Sequence, residues 1–178
     1  MISRTAHTLR LKGKFEAGEK RSDHETAEFG PGKRGLVFCP RGEAVYYKKS
    51  WHHTSEFFSN PPDFTKKKGI IFKLCPADMM LKNKQYEGEI TIRNVPEAVR
   101  EDLVRRIENM GETAMRIDVL DRVSEIAVKE SGIRVTTTEN QLAQKIAKNI
   151  AAAFKKKVAM RISRGKESDV VRVTIDFI

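Results

Sequence analysis

The chain has 178 residues, a formal net charge of +10, 39% hydrophobic and 33% charged side chains, and no apolar run long enough for a membrane span. That length has room for one ordinary domain, or for a small module plus a compact one. Two cysteines do not make a disulfide scaffold, so a reducing cytoplasm is the expected compartment.

Residues 1–35 carry five glycines (Gly13, Gly18, Gly30, Gly32 and Gly35), many charges and little hydrophobic periodicity, which predicts a basic flexible tail. Arg4, Arg10, Lys12 and Lys14 precede the first acid, Glu16. With no secretory apolar stretch after them, they read as a solvated tail rather than a targeting peptide. The segment Gly30-Pro31-Gly32-Lys33-Arg34-Gly35 has the glycines of a phosphate loop but neither a helix nor the following Lys-Ser/Thr. Lys33 and Arg34 therefore count as general phosphate contacts and not as a nucleotide site.

Residues 36–85 read as a small β module built around two Cys-Pro turns. Leu36-Val37-Phe38 leads into Cys39-Pro40-Arg41-Gly42, and Ala44 to Lys48 leads out of it. After Asn60-Pro61-Pro62-Asp63 and Lys66-Lys67-Lys68, the run Ile70 to Leu74 leads into Cys75-Pro76-Ala77-Asp78. Strand, Cys-Pro turn, strand, connector, strand, Cys-Pro turn is the layout of a zinc ribbon, in which a second cysteine normally follows two residues after the first. Gly42 and Asp78 hold those second positions here. Cys39 and Cys75 are the candidate metal ligands. Tetrahedral zinc needs four donors, so Asp78 and one of His52 or His53 would have to complete the set. The expectation is a degenerate ribbon without a cofactor, zinc being the one metal the motifs would admit.

After the first turn come Tyr46, Tyr47, Trp51, His52 and His53, interleaved with Lys48 and Lys49. Rings beside ammonium groups suit stacking on exposed bases while phosphates are held, and Arg41 in the turn adds a cation. By strand alternation one of the two tyrosines belongs to the core. Trp51 reads equally as a structural plug or as a stacking platform. No serine, cysteine or carboxylate at interpretable spacing accompanies the paired histidines, so no enzyme is expected and no small-molecule substrate is evident.

Residues 86–178 alternate clearly between periods of two and 3.6. Glu87 to Arg93 predicts a strand with Ile90 and Ile92 on one side. Pro96 opens a helix with Val99, Leu103, Ile107 and Met110 on one face, and Gly111 is expected to end it. Arg122 to Lys129 predicts a strand with Ile126 and Val128 inward, and Ile133 to Thr137 another. Thr138-Glu139-Asn140-Gln141 has the form of a capping box before a helix whose Leu142, Ala143, Ile146, Ala147, Ile150, Ala151 and Phe154 share a face. Strands around Val158 to Ser163 and Val170 to Phe177 close the chain. The order βαββαββ predicts an α+β sandwich of ferredoxin-like type, with an antiparallel or mixed sheet and two helices on one face.

Such a sandwich leaves one sheet face open. Opposite the apolar positions stand Thr91, Arg93, Arg134, Thr136, Arg161, Ser163, Arg172 and Thr174. Four arginines on four predicted strands could dock phosphates, or could belong to an ordinary solvated face balanced by Glu89, Glu125 and Asp176. The aromatic pair of the common RNA-recognition sheet is missing.

The paired Cys-Pro turns, the segment Tyr46-Tyr47-Lys48-Lys49-Ser50-Trp51-His52-His53, the strand Glu87-Gly88-Glu89-Ile90-Thr91-Ile92, and Val135-Thr136-Thr137-Thr138-Glu139-Asn140-Gln141-Leu142-Ala143 together resemble a prokaryotic zinc-ribbon family. That family is related to the nonsense-mediated-decay-type adaptor that exports the large ribosomal subunit. The resemblance covers roughly residues 36–178, with cysteines matching at Cys39 and Cys75 only. It implies a non-enzymatic, ribosome-associated RNA-binding factor acting in large-subunit assembly, stability or quality control, with ribosomal RNA or a ribosomal subunit as partner and no membrane. The charge agrees with a polyanionic partner: residues 1–85 hold 17 Lys and Arg against 9 Asp and Glu, and residues 86–178 hold 17 against 15. The expected RNA contacts are Lys33, Arg34, Arg41, Tyr46, Tyr47, Lys48, Lys49, Trp51, His52, His53, Lys66, Lys67, Lys68, Arg93, Arg134, Arg161 and Arg172. The alternative of a different class is a protein-interaction module whose RNA contact is incidental.

Overall fold

The computed structural model of the chain describes residues 36–47, 50–59, 69–155, 157–164 and 170–178. They form a mixed α+β structure with two mixed sheets and four helices among the described residues. The chain divides into two compact units, Met1–Cys75 and Pro76–Ile178. The division falls ten residues before the 85/86 boundary drawn from the sequence, because Pro76 does not extend a β module but opens a helix.

In the first unit, β1 (Leu36–Phe38), β2 (Ala44–Tyr47) and β3 (Ser50–His53) make an antiparallel meander, followed by the short helix α1 (Thr54–Phe58). The strand β4 (Ile70–Phe72) returns beside β1 in parallel, giving the order β3-β2-β1-β4. The first Cys-Pro turn is a tight hairpin. The Gly42 N–H donates to the Cys39 carbonyl at 2.9 Å and the Cys39 N–H to the Ala44 carbonyl at 2.8 Å. Gly42 has φ +83, a left-handed conformation that a cysteine at this position would hold only under strain. Thr54 ties α1 to the same turn, its N–H donating to the Glu43 carbonyl at 3.1 Å and its hydroxyl to the Gly42 carbonyl. One sheet face, carrying Leu36, Phe38, Val45 and Tyr47, closes over Phe57 of α1 as a small core. α1 was not foreseen, because five residues after a strand are too few for a periodic signal.

The second unit begins with α2 (Pro76–Asn83), followed by β5 (Gly88–Arg93), α3 (Glu97–Ile117), β6 (Val123–Lys129), β7 (Gly132–Thr137), α4 (Asn140–Ala153), β8 (Val158–Arg164) and β9 (Val171–Phe177). The sheet order is β6-β7-β5-β9-β8, with β5 and β9 parallel and the other neighbours antiparallel. Ile90, Ile92, Ile133, Val135, Val173 and Ile175 project from one face into a core shared with Leu103 and Ile107 of α3 and with Leu142, Ile146 and Ile150 of α4. The strand alternation is what aims all of them to one side.

Three local expectations change. Gly111 does not end α3, which runs on to Ile117. Its missing side chain serves packing: a Cβ there would sit 2.6 Å from Val123 Cγ2, so the helix lies against β6 at this residue. The capping box is not formed. The N-cap of α4 is Glu139, without a side-chain cap bond. The Thr138 hydroxyl instead donates to the Leu120 carbonyl at 2.6 Å and accepts the Arg122 N–H at 2.9 Å, pinning the α3–β6 connection. Val128 is on the inward face, opposite Ile133, yet stays half exposed, because β6 is an edge strand that α3 meets near Val123.

Candidate nucleic-acid interface and the cysteine pair

Cys39 follows β1 and Cys75 closes the first unit; both are buried and neither is in a disulfide. Their sulfurs lie within 4.8 Å of one another, and the Cys75 N–H points at Cys39 Sγ across 3.4 Å. Among the described residues neither His52 nor His53 brings a ring nitrogen to this pair, so the histidine completion of a zinc tetrahedron is not formed. The second Cys-Pro is no knuckle either. Pro76 is the first residue of α2, where its missing N–H costs nothing and its fixed φ suits a helix. Asp78, one turn past Cys75, is fully buried in the first turn of α2, and its carboxylate meets the Arg122 guanidinium at 3.5 Å. The position where the ribbon pattern expects a thiolate thus carries an ion pair.

Among the described residues of the first unit, Cys39 and Cys75 are the two donors brought together. These residues do not fit a four-donor zinc site. Purified protein is therefore expected to carry well under one zinc per chain by elemental analysis. Stoichiometric zinc, lost together with folding in Cys39→Ser, would reverse this conclusion.

The aromatic residues expected to stack on bases are placed inward. Tyr46 and Trp51 pair across β2 and β3 with ring centroids 5.4 Å apart, and only 9% of Trp51 is exposed. Tyr47 packs edge-on to Phe57 at 5.6 Å and against His52 at 4.2 Å. Burial, followed by the nearby Glu56 carboxylate, raises the Tyr47 phenol above its ordinary range. Both tyrosines, not one, are core residues, and Trp51 is the plug rather than the platform. Rings held this way have no free face for a base. His52 and His53 are half-buried. Arg41 is exposed at the first turn. Lys33, Arg34, Lys48, Lys49, Lys66, Lys67 and Lys68 lie outside the described residues.

In the second unit the open face contains what the alternation predicted. Arg93, Arg134, Arg161 and Arg172 stand on β5, β7, β8 and β9 and share one side of the sheet. Their electrostatics are more specific than a basic patch. Glu89, four residues before Arg93 on the same face of β5, is clamped by two guanidinia: Arg134 Nε at 2.6 Å on one oxygen and Arg172 Nε at 3.3 Å on the other. Arg134 also reaches Glu125 at 3.4 Å and lies 5.3 Å over the Tyr86 ring. The Glu89 hydrogen bond is the main reason its guanidinium holds its proton even more tightly than usual. Arg93 faces Asp176 at 3.9 Å. Arg161 is exposed and, among the described residues, makes no ion pair. Three of the four arginines are thus committed to carboxylates of the same face, leaving a weaker field than their number suggests. At the N-cap of α4, burial raises the Glu139 carboxyl, followed by the nearby Glu87, Asp121 and Asp118.

The sequence reading missed Phe58 and Phe72. Phe72 is 71% exposed and Phe58 56%, although both touch the buried Phe38 ring, Phe58 stacked at 5.8 Å and Phe72 tilted at 6.3 Å. At the end of a five-residue helix and of a three-residue strand, they had no periodicity to reveal which way they point. Neither a protein-family model nor a curated protein matches the chain.

Proposed function

We propose that the protein is a non-enzymatic RNA-binding factor that associates with ribosomal particles, acting in assembly, stability or quality control of the large subunit. The observation that carries this reading is the placement of charge: 17 Lys and Arg against 9 Asp and Glu in residues 1–85, against near balance in the rest. A cation cluster of that size gains by releasing counterions from a phosphate backbone. The motif resemblance of residues 36–178 supports the ribosomal particle as the source of that backbone. It also supports descent of the first unit from a zinc ribbon that has lost its metal, and a ferredoxin-like relationship for the second unit, with β9 inserted beside β5. No helix among the described residues is long and apolar enough to cross a membrane, and a cytoplasmic location is part of the proposal.

Co-sedimentation with ribosomal particles at low salt, with release at moderate salt, is the expected result; protein confined to the unbound fraction at low salt would reject the reading. The lysines are expected to dominate. Changing Lys66, Lys67 and Lys68 together to glutamine should weaken binding to ribosomal RNA fragments whatever their sequence, and reduce the slope of log affinity against log salt by about two to three units. Arg134→Gln with Arg172→Gln should do less, since both guanidinia already serve Glu89. If the sheet-face pair loses more affinity than the lysine set, the second unit is the RNA surface.

A protein-interaction role has one observation in its favour. An open groove of about 640 Å³ runs between α3 and α4, lined by Arg105, Arg106 and Lys145 beside Met110, Leu142 and Phe154. Partner binding there would be far less sensitive to salt than phosphate binding.

A further inference from the structure

We propose that the exposed rings of Phe58 and Phe72 form a stacking platform for unpaired bases of single-stranded RNA, a surface that rests on the RNA-binding reading above and specifies which form of RNA it takes. Among the described residues the first unit keeps its other large aromatics inward. Phe38, Tyr46, Tyr47, Trp51 and Phe57 are all buried, so the two exposed rings are not a general looseness of the module. They are also braced. Phe58 extends from α1 and Phe72 from β4, two separate elements, and the same buried ring, Phe38, supports each from behind. Parallel pairing aligns Phe72 with Phe38 directly, and aligns the exposed Ile70 with Leu36 on the same face.

A buried ring flanked by two rings with open outer surfaces offers two π-faces, their separation bounded by the two centroid distances to Phe38. Flat aromatic surfaces of this kind are what unpaired bases stack on, without regard to sequence, since every base has a π-face. The charge argues for that occupant over an apolar peptide. The platform belongs to the part of the chain that holds nearly all of the net positive charge, so a strand stacked there would have its phosphates close to cations in sequence. A duplex hides its base faces and would gain nothing from the rings.

The test uses the full chain, with the leucine variants Phe58→Leu and Phe72→Leu singly and together, because leucine keeps apolar volume and removes the ring. Affinity is measured for a fluorescent single-stranded RNA of mixed sequence and for a hairpin duplex of equal length, at several salt concentrations, with thermal melting as the folding check. The expected result is a loss of roughly tenfold per ring for the single strand. The salt slope and the duplex affinity should stay unchanged, as should the melting temperature. If the double variant binds single strands like wild type while the Lys66–68 variant is weakened, the platform is wrong and the RNA-binding reading stands. Equal losses for single strand and duplex would also overturn it, marking the rings as structural. Should wild type sediment as a dimer that the double variant dissociates, the rings cover a second copy instead. Wild type that binds neither RNA would reject the parent reading itself.

Discussion

Gly132→Ala is expected to lower the melting temperature of the second unit by about 10–30 °C, the consequence of a cost of roughly 2–5 kcal/mol in a unit of this size. Gly132 begins β7 at φ +143, a conformation open to glycine and strained for any other residue. It sits opposite Arg93 on one side and Lys129 on the other, at the tight connection between β6 and β7. A Cβ there would lie 2.0 Å from the Ile92 carbonyl oxygen and 3.0 Å from its carbon. The atom in the way is backbone of the paired strand β5, so no side chain can rotate aside. Relief requires breaking the β5–β7 ladder at its end. Gly42→Ala is the internal control: it also has positive φ, at +83, but nothing lies within 4 Å of its Cβ position. That variant should lose only the backbone strain, about 1 kcal/mol. Similar melting curves for the two variants would show that the β6–β7 turn is not packed against β5 as described.

Arg122→Met should destabilise the same unit by about 3–5 kcal/mol, measured by chemical denaturation, because it removes the guanidinium that faces a buried carboxylate. Asp78 is fully buried and the Arg122 side chain only 10% exposed, so water cannot screen the loss as it does for a surface pair. Arg122 does further work, donating from Nε to the Val119 carbonyl at 3.1 Å. Asp78→Asn combined with Arg122→Met removes the carboxylate charge as well and should recover part of the stability, which separates the ion pair from the packing of the long side chain. If Arg122→Met alone costs less than 1 kcal/mol, Asp78 is satisfied by other groups and the pair is incidental. The surface pair Arg116–Glu112, with both side chains largely exposed, is a useful contrast, since breaking it should change stability by no more than a few tenths of a kcal/mol.

Legibility in the sequence tracked periodicity. The strands of the second unit and both of its long helices could be read because each buries a regular stripe, and the open face followed from the same alternation: Arg93, Arg134, Arg161 and Arg172 do share one side. Where a residue's role depends on a partner distant in sequence, the pattern misled. Thr138 has the form of a helix cap, yet its hydroxyl is drawn to the Leu120 carbonyl 18 residues away. Gly111 has the form of a helix stop, yet it is the contact point with Val123. Cys75-Pro76 has the form of a metal knuckle, and a proline there serves a helix start equally well.

The sequence by itself determined the mixed α+β class, the one-sided apolar pattern of the second unit, and the concentration of positive charge in residues 1–85. These are sums and periods along the chain, and need no knowledge of neighbours. Only the tertiary structure decided which aromatic rings face inward, because Tyr46, Tyr47 and Trp51 belong to four-residue strands whose two faces no local pattern tells apart. It also decided that Asp78 meets Arg122, 44 residues away, and that Glu89 is held between Arg134 and Arg172. Ion pairs of this kind are set by strand order and by the packing of separate elements, and burial then fixes their strength, since a carboxylate removed from water must be matched by whatever cation the fold brings to it.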